Sequence, residues 1–232
     1  MTGNKLKPLR HSTEGGYVRG DETRQRIIEA AFEVFGERGF DAATTRQIAA
    51  YAGVNTPALQ YYFENKEGLY VACAAWLADE NLPYFQPLLE QIQNQVKQTP
   101  AQQCIELFCQ LIEVMLDRIF ATQYSPNKQL FLARIQQGQG PEAAFNVIRT
   151  RLGKSLNRAG AKLIALISDS SPDDEKTQLR SLALFGQIIM FHVMHRTVLD
   201  QLQWKRIDAS KVIALKSVAR EHCVILLNSW RA

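Results

Sequence analysis

The chain has 232 residues, 46 % of them apolar and 22 % charged, with a net charge of +4 and a pI near 8.9. That length suits one large domain or a small domain joined to a larger one, and the composition is ordinary for a globular protein. No apolar run approaches the roughly 18–20 residues of a membrane span, and the first twenty residues lack the apolar segment of a secretory signal, so a cytoplasmic chain with no membrane contact is expected.

Residues 1–20 carry Lys5, Lys7, Arg10 and Arg19 against Glu14 alone. Such a segment is either a solvated flexible tail or a basic arm for nucleic-acid phosphates or the minor groove. A first helix is expected from Asp21 or Glu22, whose charge suits a helix N-terminus. It stacks Ile27, Ile28, Ala31, Phe32 and Phe35 on one stripe, with Gly36 and Gly39 as its stop. A second helix opens at Thr44, where Gln47 completes a capping box. Gly53 supplies a tight turn and Val54 plugs the junction. Thr56 is expected to cap the third helix, with Pro57 at its first position. Leu59 and Phe63 anchor that helix inward, and Thr56, Gln60, Tyr61 and Tyr62 look outward to differing degrees. Asn65 caps a longer fourth helix carrying Leu69, Ala72, Cys73, Trp76 and Leu77 on its apolar side.

Beyond Pro83 further helices are expected at about 84–98, 101–122, 126–138, 141–168, 174–202 and 209–231, separated by Pro, Gly and Ser clusters. The stretch 179–199 is apolar around most of its circumference and demands cover from a bundle or a second subunit. Strand signals are nearly absent. The expected fold is all-α, an N-terminal three-helix domain with a helix-turn-helix joined to a larger C-terminal helical bundle that dimerises. The corresponding division is a basic flexible arm at 1–20, a DNA-binding unit at 21–68 and a ligand-sensing and dimerisation unit at 69–232.

The four cysteines, Cys73, Cys104, Cys109 and Cys223, have no metal or redox spacing and read as buried hydrophobes. His192 and His195 share a helix face but lack a third ligand, so no metal and no cofactor is expected. No nucleophile–base pair, carboxylate pair or glycine-rich phosphate loop is present, which argues against an enzyme.

The run TTRQIAAYAGVNTPALQYYFENKEGL, with IIEAAFEVFGERGFDAATTRQIA before it, resembles the N-terminal domain of TetR-type (AcrR-like) bacterial transcriptional regulators over residues 22–72. Glycines, threonines, aromatics and the lysine–acid pair all fall at that family's offsets. Gln60 departs from the pattern, since the family often has an aromatic there. FLARIQQGQGPEAAFNVIRTRL is similar to the C-terminal domain of the CecR (YbiH-like) subgroup. The resemblance implies a homodimer joined by two helices from each subunit, with 141–168 and 174–202 as the expected pair. It implies a ligand-released repressor on a palindromic double-stranded DNA operator, and an unidentified small-molecule effector of drug-like or aromatic character.

Direct readout needs a helix in the major groove with three or four side chains on base edges. Gln60 suits adenine, and Thr56 and Pro57 suit a thymine methyl or base edge. Tyr61 and Tyr62 suit phosphates, although Tyr62 also fits a half-buried position against the first helix. Thr44 and Thr45, with the backbone N–H groups there, form a phosphate site. Arg46 reaches a phosphate or guanine, or pairs with Asp41 or Glu64. Lys66 matches the family's phosphate-contacting lysine. For the effector, Phe108, Met115, Phe120, Phe131 and Met190, with Arg134 and His192 among the polar groups, fit a mostly apolar pocket, although an aromatic and Met stripe at helical spacing is more often plain core.

Overall fold

The computed structural model describes residues 14–120 and 125–231, with side chains from residue 20 onward. It is all-helical. α1 (Glu14–Ala42), α2 (Thr45–Ala52) and α3 (Thr56–Tyr62) form the N-terminal unit, and α4 (Lys66–Gln93) leads out of it. Then follow α5 (Ala101–Ile119), α6 (Pro126–Gln136) and α7 (Glu142–Ile148), which runs through a π-helical turn at 149–153 into α8 (Lys154–Ser168). α9 (Glu175–Val193), α10 (His195–Gln201) and α11 (Ala209–Ser229) complete the chain. The first thirteen residues of the expected basic arm lie outside the described residues.

α1 starts at Glu14 rather than at Asp21 or Glu22, and its helical course is broken only at Gly39, three residues before its end. That residue takes φ 77° and ψ 174°, a region open essentially only to glycine. Gly36 is not a stop. It lies within the helix, where a Cβ would overlap the backbone of Asn127 at the start of α6. Its missing side chain is what lets α6 lie directly on α1.

Three further expectations shift. Asn55, not Thr56, caps α3, its Oδ1 accepting from Ala58 N–H at 2.8 Å. Thr56 is the first helical residue and Pro57 the second, where a missing N–H still costs nothing. α4 does not end near Pro83 but continues through Pro83 and Pro87 to Gln93. Each proline removes one intrahelical hydrogen bond, and burial of Leu77, Phe85, Leu88 and Ile92 along the same helix outweighs that loss. The 174–202 stretch is two helices, α9 and α10, meeting at a 77° bend. Among the described residues no single helix is both long and apolar enough to cross a membrane, and α9 with α10 meet the two conditions only together, as that bent pair.

Two cores result. One gathers Ile27, Phe32, Phe35, Ile48, Leu59, Phe63, Leu69 and Tyr70 with Phe131 and Ile135 from α6 and Ala144 from α7. The other joins the far half of α4 with α5, α8, α9 and α11 around Phe108, Leu111, Ile112, Leu163, Ile188 and Leu227. Arg220 of α11 ties the second together by pairing with Glu113 at 2.8 Å and with Glu106.

Candidate nucleic-acid interface

The N-terminal helices put a small polar face on a rigid base. Thr44 Oγ1 accepts from Gln47 N–H at 3.2 Å, and Gln47 Oε1 accepts from Thr44 N–H at 3.0 Å, so the capping box forms as expected. Gly53 closes α2 in the left-handed region with φ 65°, which a β-carbon would strain. Leu59 and Phe63 are buried beneath α3, and this fixes which of its residues face out.

Gln60 and Pro57 are exposed, and Tyr61 is 84 % exposed. Thr56 is half-buried at the helix start. Tyr62 is half-buried as well, its hydroxyl close to Gly20 of α1 and its ring edge-on to Tyr61 with centroids 5.2 Å apart. On α2, Thr44 and Arg46 are exposed and Thr45 is half-buried. Arg46 makes no ion pair with Asp41 or Glu64. Thr44, Thr45, Arg46, Thr56, Pro57, Gln60 and Tyr61 thus occupy one continuous two-helix segment.

Lys66 is employed differently. Its ammonium donates to the carbonyls of Phe40, Ala43 and Asp41 at 2.9, 3.1 and 3.3 Å and lies 4.4 Å from the Phe40 ring centroid. An ammonium has three N–H donors, and here all three serve the chain end that follows Gly39. Lys66 therefore staples α4 to the α1–α2 corner, leaving no donor for a phosphate.

Tyr51, absent from the sequence-based set, is 65 % exposed at the end of α2. The helical wheel carries the signal: Ile48, Ala49 and Ala52 define the buried arc, and Tyr51 falls outside it on the far side of Ile48.

The seven residues expected around an effector are not brought together. Phe108, Met115 and Phe120 belong to the bundle core, whereas Phe131 lies in the other core beneath the helix-turn-helix. Arg134 is half-buried and donates through Nε to Gly36 O at 3.1 Å and through Nη1 to Gln139 Oε1 at 3.0 Å. It clamps α6 to α1 rather than facing a cavity. Met190 is 40 % exposed. His192 is buried, with Nε2 donating to the Gln129 carbonyl at 3.0 Å and Nδ1 3.0 Å from the Gln136 side-chain amide. Burial pushes its pKa down to about 4, against the raising effect of the Gln129 carbonyl.

Two surface clefts stand apart from these seven. One, of about 460 Å³, lies between α1, α4 and the π-helical turn and is lined by Arg24, Ala72, Ala75, Trp76, Asp79, Glu80 and Arg151. The other, of about 340 Å³, is a shallower groove beside Leu88, Val114 and Lys216. Of the two stretches expected to join subunits, 141–168 exposes Phe145 on α7 beside the basic residues Arg149, Arg151, Lys154 and Arg158 of the π-helical turn and α8. Exposed apolar residues are most numerous on α9 (Leu179, Leu182, Met190) and α11 (Ile213, Val218, Ile225, Leu226), with others scattered at Val96, Leu130, Phe145, Met194 and Leu202.

Residues 27–73 match the family model for bacterial regulatory proteins of the tetR family, and residues 104–229 match the C-terminal domain of the HTH-type transcriptional dual regulator CecR. The chain belongs to the TetR family of DNA-binding transcriptional regulators, with a C-terminal domain of CecR type. Among individual proteins it is similar to CecR of Shigella flexneri, 31 % identical over 212 residues that cover 90 % of this chain and 93 % of that one. Solved structures share the fold. FadR from Bacillus subtilis in complex with stearoyl-CoA has a TM-score of 0.58 at 19 % identity, over 90 % of this chain and 99 % of that chain. AibR in complex with isovaleryl coenzyme A and operator DNA has a TM-score of 0.60 at 13 % identity, over 89 % of this chain and 98 % of that chain.

Proposed function

We propose that this regulator is a cytoplasmic homodimeric repressor that binds a palindromic operator and leaves it when a small molecule binds. The observation that carries the reading is α3, which buries Leu59 and Phe63 and projects Pro57, Gln60 and Tyr61 outward on adjoining turns. Seated in a major groove, Gln60 reads adenine through its amide, and Thr56 and Pro57 meet a thymine methyl or base edge. Tyr61, Thr44, Thr45 and Arg46 hold the phosphates that fix register, with Tyr51 as a further phosphate contact at the end of α2. Tyr62 buttresses α1 and Lys66 the α1–α2 corner, each keeping the reading helix in place.

The dimer uses α9 and α11. Leu179, Leu182 and Met190 follow one stripe of α9 across the helix position of Gly186, and Ile225 and Leu226 extend the same kind of surface on α11. A large exposed apolar face of this kind marks an association surface. Two subunits then carry two recognition helices at least about one turn of DNA apart, roughly 34 Å or more. The DNA-binding unit comprises α1 to α3 with the start of α4, and the remainder senses the effector. FadR and AibR hold acyl-CoA thioesters, and an effector of mixed apolar and anionic character suits this chain as well.

Selection of bound DNA from a random pool, followed by anisotropy titrations at several salt concentrations, tests the reading. An inverted-repeat consensus bound by two chains, with affinity falling steeply as salt rises, is the expected result. Recovery of no consensus, or of an unpaired half-site bound by one chain, defeats it.

A further inference from the structure

The cleft between α1, α4 and the π-helical turn has the make-up of a ligand site. Its floor is apolar and shallow because α4 places Ala72 and Ala75 there. Trp76 forms a wall, and its position is fixed by its Nε1–H donating to Gln25 Oε1 at 2.9 Å and by the Lys128 ammonium 3.8 Å from its ring centroid. The charged groups are unequally employed. Asp79 is paired with Arg151, and Glu80 with Lys128 at 3.0 Å. Arg24 has no carboxylate partner among the described residues, and its guanidinium lies 5.3 Å from the Phe63 ring centroid. A cation entering the cleft would have to displace a cation already bonded to each carboxylate. An anion meets a guanidinium that has no such partner, in a cleft whose volume falls in the usual range of small-molecule sites. π-helical turns inserted into α-helices recur at functional sites, and this one supplies Arg151.

We propose that this cleft binds a small aromatic carboxylate, its ring against Trp76 and the two alanines and its anion held by Arg24, with the N–H groups of Arg151 that Asp79 does not engage as the second donor. The cleft is distinct from the bundle residues expected to line an effector pocket. It spans the DNA-binding unit through Arg24 and the rest of the chain through Arg151, so an anion shared by both fixes their relative position. As an effector site it rests on the ligand-released regulator reading, whereas binding itself does not.

Three probes of one shape separate the chemistries: 2-naphthoate, 2-naphthamide and 2-naphthylmethylamine. The indole N–H signals of Trp76, Trp204 and Trp230 report binding by NMR without DNA, with Trp76→Phe assigning the relevant signal. Naphthoate is expected to move the Trp76 signal saturably, with the amide about tenfold weaker or more, in line with a lost charge-assisted contact. Arg24→Gln is expected to weaken naphthoate by a similar factor and Arg151→Gln by less; both positions are exposed, so the fold is retained. Equal binding of the amide, tighter binding of the amine, or movement only of the Trp204 or Trp230 signals overturns the site. The effector role is read separately by operator anisotropy. Saturable binding with unchanged operator affinity overturns that role alone, and failure of the unliganded protein to select any operator defeats the regulator reading instead.

Discussion

The core beneath the helix-turn-helix is built on rings, and the core of the bundle on aliphatic chains. Phe35 meets Tyr70 edge-on at 4.9 Å, Phe32 meets Phe131 at 5.1 Å, and Phe40 lies 5.2 Å from Tyr70. In the bundle the corresponding ring pair is Phe108 stacked on Phe185 at 5.5 Å, amid leucines and isoleucines from five helices. Rings have preferred mutual geometries and hold a fixed arrangement, whereas aliphatic cores tolerate repacking at constant volume. Under the proposed function the difference suits the roles: the DNA-reading end would keep one shape, and the end assigned to sensing could settle into another.

The largest effect expected to bear on this contrast comes from Phe131→Ala. Phe131 is fully buried in the ring core yet belongs to α6. Truncation is expected to cost about 3–5 kcal/mol in denaturant unfolding and to reduce operator affinity as well. A loss of stability typical of an exposed site would break the claim that α6 completes the DNA-reading end.

Acid is expected to act next, through His192. Its pKa is about 4 in the folded chain against 6.5 as the ordinary value. The unfolded chain therefore binds the extra proton first, and the contribution of neutral His192 is full above pH 6.5 and lost as pH falls toward 4. The loss is about 3 kcal/mol across that window. His192→Gln is expected to flatten that part of the stability profile, and an unchanged slope would contradict the assignment.

Lys66→Met comes third. Loss of three charge-assisted bonds to the Phe40, Asp41 and Ala43 carbonyls is expected to lower stability by about 2 kcal/mol. The salt slope of DNA binding should stay the same. A slope smaller by about one would restore Lys66 as a phosphate contact. The smallest effect is that of Gln60→Ala, at about 1–2 kcal/mol on the cognate operator with relaxed preference at one base position. Stability is expected to hold, because Gln60 is exposed.

These sites also mark what the sequence can disclose. The Thr44 capping box, the Gly53 turn and the Asn65 cap are local hydrogen-bond patterns of three or four residues, and each is readable as a string. The Leu59 and Phe63 anchors follow from helical spacing. Asn55 and Thr56 both make good caps, and only the backbone geometry decides between them. What stays hidden depends on partners distant in the chain. Gly36 resembles a helix stop until Asn127 arrives against it. Phe131 fits either core by composition, and Lys66 acquires its carbonyls from more than twenty residues away. The exposed apolar row of α11 escapes notice because its helix mixes lysine, arginine and glutamate with the aliphatics. The same limit applies to the Arg24–Trp76–Arg151 cleft, whose residues come from three separate segments.

The continuity of α4 through Pro83 and Pro87 has a mechanical consequence. Proline lacks the amide hydrogen that would reach back four residues, so Asp79 and Pro83 each keep a carbonyl without its helical partner. The two gaps sit about one turn apart and form a compliant joint in an otherwise stiff rod. From that joint to the helix start at Lys66 the rod measures about 25 Å. A bend of about 8° there displaces the tip by roughly 3.4 Å, the rise of a single base pair along one strand. In the proposed twofold dimer the change would be doubled, so a flexure too small to disturb either core would shift the recognition helices out of phase with the operator.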